Sequence, residues 1–247
     1  MICKFKKKFL VKWQNIRSIR KKRRASKTMT YLSTDGIKLL LKQIPNKSRE
    51  SIRDLAMLTL LYDTGCRVQE LIDLKPSCIR FEYPCHIRVT SKGNKQRDIP
   101  LKKEQLEFLQ QYIDEYNLNR AEFQKKELFF NRARGKLTTA GVTYILKKYA
   151  DEARKENGSL IPKQISPHII RHSKAMHLLQ GGVNLVYIRD FLGHVSIQTT
   201  EIYARADSKQ KREALESVYE DVVPEKGKKG SWENNDGLKD FLKSLGI

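Results

Sequence analysis

Residues 166–203 read SPHIIRHSKAMHLLQGGVNLVYIRDFLGHVSIQTTEIY. The stretch holds four of the chain's five histidines, with Arg171 among them and Tyr203 at its end. Ser166 before Pro167 has the form of an N-cap followed by proline at the first helical position, where the missing amide hydrogen has no partner to lose. Gly181-Gly182 ends that helix. A second helix follows, with Val183, Val186, Ile188 and Leu192 on its apolar side, and stops at Gly193. Ser196 then caps a short turn that carries Thr199, Thr200 and Tyr203.

On the first helix His168 and Arg171 stand three apart and share a face, while His172, four after His168, leans on the neighbouring part of it. An exposed His/Arg face is an anion site. The guanidinium offers a planar fork of donors that fits phosphate in bidentate fashion. Imidazole adds a hydrogen bond and exchanges a proton near neutral pH. His194, just past a glycine turn, and Tyr203 supply further groups if the chain folds back. Each residue alone reads as an ordinary polar side chain of a basic protein; only together do they form a pattern.

The formal net charge of +21 over 247 residues points to a polyanionic partner, nucleic acid or an anionic membrane surface. Hydrophobic content of 39% still supports a core. The length suits one large domain with appendages. No segment approaches the roughly 18 apolar residues of a membrane span, and the N-terminus lacks an apolar run long enough for a signal peptide. Cys3, Cys66, Cys78 and Cys85 show no C-x-x-C pairing, which fits reduced thiols in a cytoplasmic protein. A zinc site on Cys78, Cys85 and His86 has the wrong ligand spacing. No carboxylate cluster suited to a divalent ion is visible, so neither metal nor cofactor is expected.

Residues 1–28 hold twelve Lys/Arg and no Asp or Glu, densest at Lys21, Lys22, Arg23 and Arg24. The block reads as an arm that binds nucleic acid electrostatically. Phe9, Trp13 and Ile16 recur at helical spacing, so a basic amphipathic membrane helix is the rival reading. The rest of the chain favours nucleic acid.

From Tyr31 the composition changes and a domain begins. Ser33-Thr34-Asp35 caps a helix to about Ile44. A helix from about Glu50 to Tyr62 is apolar along Ile52, Leu55, Ala56, Leu58, Leu60 and Leu61 and is expected in the core. In TGCRVQELIDL, Gly65 ends that helix and Arg67 opens the next. A cation at a helix start opposes the macrodipole, a local cost that hints at a functional post. Glu70, three residues on, is placed to hold it, although a surface pair of this kind is worth under about 1 kcal/mol. CIRFE, HIRVT and RDIPL then read as three short strands, with SKGNKQ as the hairpin turn between the last two. Amphipathic helices are expected from Lys103 to Tyr116 and from Thr138 or Thr139 to about Glu156. After Tyr203 come a mixed-charge helix from Ser208 to Tyr219 and a polar linker. A tail stripe of Leu238, Phe241, Leu242 and Leu245 is too short to fold without a groove, in cis or on a neighbour.

HIIRH followed by LGHVSIQTTEIY resembles the tyrosine recombinase (phage integrase) family, whose signature is H-x-x-R, then L-G-H, then a tyrosine. TGCRVQEL matches the family's first arginine motif, T-G-x-R-x-x-E-L. The resemblance implies an α+β fold: a mainly helical catalytic domain over residues 29–221 with a small three-stranded antiparallel sheet. Residues 1–28 would be the basic arm or the remnant of a missing N-terminal core-binding domain, and residues 222–247 a linker and tail helix.

The resemblance also implies roles. Tyr203 is the nucleophile, and Arg67 and Arg171 favour its phenolate and neutralise the phosphate. His168 is the general base or its relay. Lys92, at the mouth of the hairpin turn, is the general acid for the leaving 5′-oxygen, and His194 hydrogen-bonds the phosphate. A covalent 3′-phosphotyrosine keeps the phosphodiester energy, so strands rejoin without ATP. Lys95 and Arg97 on the small sheet join Lys21, Lys22, Arg23 and Arg24 as DNA contacts. The implied partners are double-stranded DNA and further copies of the chain, a tetramer on paired sites. The implied task is site-specific recombination or integration for a mobile element. Rival readings are an N-terminally truncated relative that binds DNA without productive recombination, a type IB topoisomerase-like relaxing enzyme, and a plain basic nucleic-acid binder that leaves the matching positions unexplained.

Overall fold

The computed structural model describes residues 29–206 apart from Lys92 and Val195. Ser33 accepts a hydrogen bond from the Gly36 amide at 3.1 Å and opens α1 (Thr34–Lys42), as its sequence predicts. Ser48 and Ser51 exchange hydrogen bonds at the start of α2 (Arg49–Thr64). On α2, Ala56, Met57, Leu58, Leu60 and Leu61 are each at most 2% exposed. A leucine buried to this degree contributes about 1.5–3 kcal/mol. Within the same helix Arg53 and Asp54 pair at 2.6 Å, while Tyr149 donates to Asp54 at 2.9 Å and Arg53 donates to the Phe130 carbonyl at 3.1 Å. Those partners keep two buried charges from facing hydrocarbon alone. Gly65, in the left-handed conformation, ends α2, and α3 (Val68–Ile72) follows.

Strands β1 (Ile79–Arg80), β2 (His86–Ser91) and β3 (Lys95–Pro100) form an antiparallel sheet in the order β1-β2-β3. The first predicted strand shrinks to two residues. Gly93 and Asn94 both take left-handed backbone, as a tight hairpin between twisted strands requires. Ile87, Val89 and Ile99 point inward, and Val89 lies opposite Arg97, which therefore shares the inner face. Helix α4 (Lys103–Glu115) packs on α2, and α5 (Thr139–Glu156) packs on α1.

The C-terminal part consists of α6 (Pro167–Gln180), α7 (Leu185–Leu192) and α8 (Gln198–Ala206). Pro167 occupies the first turn of α6 as expected, but the Ser166 side chain makes no cap; its backbone carbonyl accepts from Ile169 and Ile170 instead. Asn184 caps α7 by accepting from the Val186 amide at 2.9 Å. The helix therefore starts after Val183, and Val186, expected on the apolar side, is 42% exposed. Tyr203 sits in a second, smaller core with Ala175, Met176, Leu179, Ile188 and Leu192. The basic arm, Lys92, the helix expected from Ser208, the linker and the tail stripe lie outside the described residues.

Candidate active site

Helix α7 ends at Gly193, whose φ is 65°. The last carbonyls of a helix carry the negative end of its dipole. Three arginines from distant parts of the chain take three successive ones. Arg97 Nε donates to the Phe191 carbonyl at 3.0 Å, Arg171 Nη2 to that of Leu192 at 2.8 Å, and Arg67 Nη2 to that of Gly193 at 3.2 Å. Arg171 Nη1 also donates to the Gly65 carbonyl, at the end of α2, at 2.5 Å. One guanidinium thus ties two helix ends together. A Cβ on Gly193 would stand 2.7 Å from Arg97 Nη1. Gly193→Ala is therefore expected to cost about 1–2 kcal/mol from the left-handed backbone alone, and more from the displaced Arg97. A lowered midpoint in thermal unfolding checks this.

Buried Glu70 holds two of these arginines. Its Oε2 accepts from the Arg67 amide and from Arg97 Nη2, both at 2.8 Å, while its Oε1 accepts from Arg67 Nη1 at 2.9 Å and from Ser91 Oγ at 2.7 Å. Burial alone would push its carboxyl up, but hydrogen bonds from Arg97 and the Arg67 amide, with Arg97's charge, hold it down at about 2. The Arg67–Glu70 pair read from the sequence is present, and far less exposed on the acidic side than a surface pair. Arg97, by contrast, was expected to touch DNA. Its donors go to Glu70, Ser91 and the Phe191 carbonyl, as the alternation that puts it on the Ile99 face allows, while it also lines a cleft beside Lys95 and Gln96. Lys95 is exposed at the rim.

Arg171 also departs from expectation. It was placed on an exposed His/Arg face, yet it is 2% exposed. Burial, and then Arg67, lower its pKa to about 10, which leaves it cationic at neutral pH. Tyr203 is 1% exposed, and its hydroxyl lies 3.0 Å from His172 Nδ1. The His168 ring stacks on that of His172 with centres 5.3 Å apart. The His194 ring lies parallel to Tyr203 at 6.2 Å, and its Nδ1 is 2.9 Å from the hydroxyl of buried Thr200. The fold therefore gathers Arg67, His168, Arg171, His194 and Tyr203. To these it adds Glu70, Arg97, Thr200 and His172, of which His172 was read only as leaning beside the site.

Electrostatics here are governed by burial. Burial raises the Tyr203 phenol above its ordinary pKa, and the pull of Arg171 and Arg67 in the other direction is outweighed. The pull of the two arginines toward the phenolate, expected from the sequence, is present, and burial offsets it. Burial, then His168 and Arg171, bring His172 down to about 4; burial, then Arg171 and Arg67, do the same for His194. His168 is lowered for the same reasons. The rings are thus neutral at pH 7. Two open clefts meet at Arg67. One of about 450 Å³ runs past Gln69, Thr143 and His168; the other, of about 690 Å³, runs past Lys95, Gln96, Arg189 and His194. Among the described residues no group of three or more His, Cys, Asp or Glu is placed to hold a metal ion, and no helix is long and apolar enough to cross a membrane.

The profile of the phage integrase family matches residues 30–210. The tyrosine recombinase XerD of Listeria innocua serovar 6a is 37% identical over 195 residues, which cover 78% of this chain and 62% of that protein. The putative integrase/recombinase y4rC of Sinorhizobium fredii is 32% identical over 233 residues, 94% of this chain and 68% of that one. A crystal structure of the XerH site-specific recombinase bound to a palindromic difH substrate, in a post-cleavage complex, superposes with a TM-score of 0.66 at 27% identity, over 78% of this chain and 54% of XerH. This chain therefore spans a little under two thirds of the XerD relative. A sequence match that takes in every described element, together with the fold shared with XerH, decides the assignment: the chain belongs to the phage integrase family of tyrosine recombinases.

Proposed function

We propose that this protein cuts and rejoins double-stranded DNA at specific sites through a covalent bond between Tyr203 and the 3′-phosphate of the cut strand. The observation that carries the reading is the pinning of Arg67 and Arg171 to adjacent carbonyls of one helix end, close enough to Tyr203 for both to act on its acidity. Donors fixed before the substrate arrives cost no reorganisation when charge builds on the phosphate. Tyr203 Oη attacks phosphorus, the two guanidiniums meet the non-bridging oxygens, and His194 supports the same charge. Lys92, which follows the Ser91 tied to Glu70, protonates the leaving 5′-oxygen. His168 serves as base or relay. No cofactor enters this scheme.

The catalytic unit is residues 29–221. Recombination or integration of a mobile element is the task we assign, with copies of the chain paired as a tetramer on two DNA sites. The similarity over 94% of the chain to a protein named a putative integrase/recombinase supports the recombination or integration part of that assignment. The test uses nicked suicide duplexes drawn from a randomised pool. A detergent-resistant protein–DNA adduct is expected, and sequencing the trapped DNA yields the site. Binding without an adduct would favour a DNA-binding relative that no longer recombines. Relaxation of supercoils without a paired-site product would favour a swivelling enzyme.

The exposed Lys95 and the arm residues Lys21, Lys22, Arg23 and Arg24 supply sequence-independent affinity in this reading. Deleting residues 1–28 removes twelve cations. If half of them meet phosphates, the slope of log K against log salt should flatten by about 5. An unchanged slope would take the arm off the DNA.

A further inference from the structure

We infer that His172 is a further catalytic residue: its Nδ1 takes the proton of the Tyr203 hydroxyl as that oxygen attacks phosphorus, and returns it when the strand is rejoined. This rests on the strand-cleavage reading above and makes His172 the base in it, with His168 the relay. The hydroxyl's hydrogen-bond partner is His172 Nδ1 at 3.0 Å, in a part-buried contact between α6 and α8. His168, the residue the family motif points to, lies behind it, stacked ring on ring. The groups around His172 are His168 and Arg171 on its own helix, Tyr203 on α8 and His194 in the turn before α8. Burial keeps the imidazole neutral, so one ring nitrogen carries no hydrogen, and Nδ1, which faces the hydroxyl, is placed to accept.

The step balances. In cleavage the Oη–H bond breaks and its proton goes to His172 Nδ1; the Oη–P bond forms and the P–O5′ bond breaks. The leaving O5′ takes a separate proton from Lys92. In rejoining, the 5′-hydroxyl attacks phosphorus and gives its proton back to Lys92, while the proton on His172 returns to Oη. At rest the transfer runs uphill, since burial disfavours both the phenolate and the imidazolium. It becomes favourable during attack, because an oxygen bonding to phosphorus loses its basicity and the incoming phosphate brings negative charge beside the imidazole.

The variant that separates the roles is His172→Asn. Its amide oxygen can stand close to the Nδ1 position and accept the same hydrogen bond, but it does not take a proton at accessible pH. Adduct formation is expected to fall by about 10²–10⁴-fold, with the thermal midpoint and DNA affinity near those of the unaltered chain. Duplexes with a 5′-bridging sulfur, a leaving group that needs no proton, should rescue Lys92→Ala and leave His172→Asn slow. Nitrogen-15 NMR of the full chain should show His172 Nδ1 without a hydrogen. A hydrogen on Nδ1, adduct formation by His172→Asn at the unaltered rate, or rescue of both variants alike by the sulfur substrate would each overturn the assignment. No adduct from the unaltered chain would instead bring down the strand-cleavage reading itself.

Discussion

Tyr203→Phe is expected to remove every trace of covalent protein–DNA adduct while leaving DNA affinity unchanged. The phenyl ring keeps its place in the smaller core with Met176, Ile188 and Leu192, because only one oxygen is deleted. The hydroxyl's hydrogen bond to His172 is worth about 0.5–1.5 kcal/mol, too little to unfold the chain. What disappears is the atom proposed to attack phosphorus, and no neighbour can replace it from the same position. Suicide duplexes followed by a denaturing gel supply the measurement. An adduct that survives in the Phe variant would place the nucleophile elsewhere, and the first residue to examine would be Tyr187, which stands exposed on α7.

The second large effect is a contrast between two arginines. Arg171→Lys should abolish cleavage and also lower the thermal midpoint. The guanidinium bridges the Gly65 and Leu192 carbonyls, and an ammonium cannot reach both in a fixed fork. A buried carbonyl left without its donor costs about 1–3 kcal/mol. Arg67→Lys should lower cleavage by about 10²–10³-fold, the loss seen when a donor to the transition state is removed. Its midpoint should change little, since the Arg67 side chain is 39% exposed and its backbone amide keeps Glu70 in place. Activity measured beside thermal unfolding decides. Equal midpoints for the two variants would mean that Arg171 does not brace the helix ends.

Much of this site is legible in the sequence because its signals are local. Ser33 caps, Gly65 and Gly193 stop helices, and Glu70 sits one turn from Arg67; each depends on neighbours within a few residues. The pattern from His168 to Tyr203 is local too. What sequence reading misses is whatever covers a face. Helical spacing puts His168 and Arg171 side by side, but it does not say that Gly65, 106 residues away, closes over the arginine. Nor does the sequence say that Arg97 donates to a carbonyl 94 residues on. Sequence reading also leaves burial out of the phenol's acidity, where burial decides the sign. Val186 fell on the apolar arc by count alone, and the Asn184 cap that sets the helix's actual start was not recognised.

The three arginines at the end of α7 have a bearing on safety. Arg67, Arg97 and Arg171 are scattered over the chain, and the carbonyls they share come after all of them in the sequence. During synthesis the cations emerge well before the helix end that aligns them, and contacts across such separations form late because the loops between them must close first. A chain caught partway through folding, or partly opened by heat, holds charged side chains with no common geometry. For the strand-breaking chemistry proposed above, a misassembled copy would cling to DNA without nicking it. In that reading, competence to cut would come only with completion of the fold.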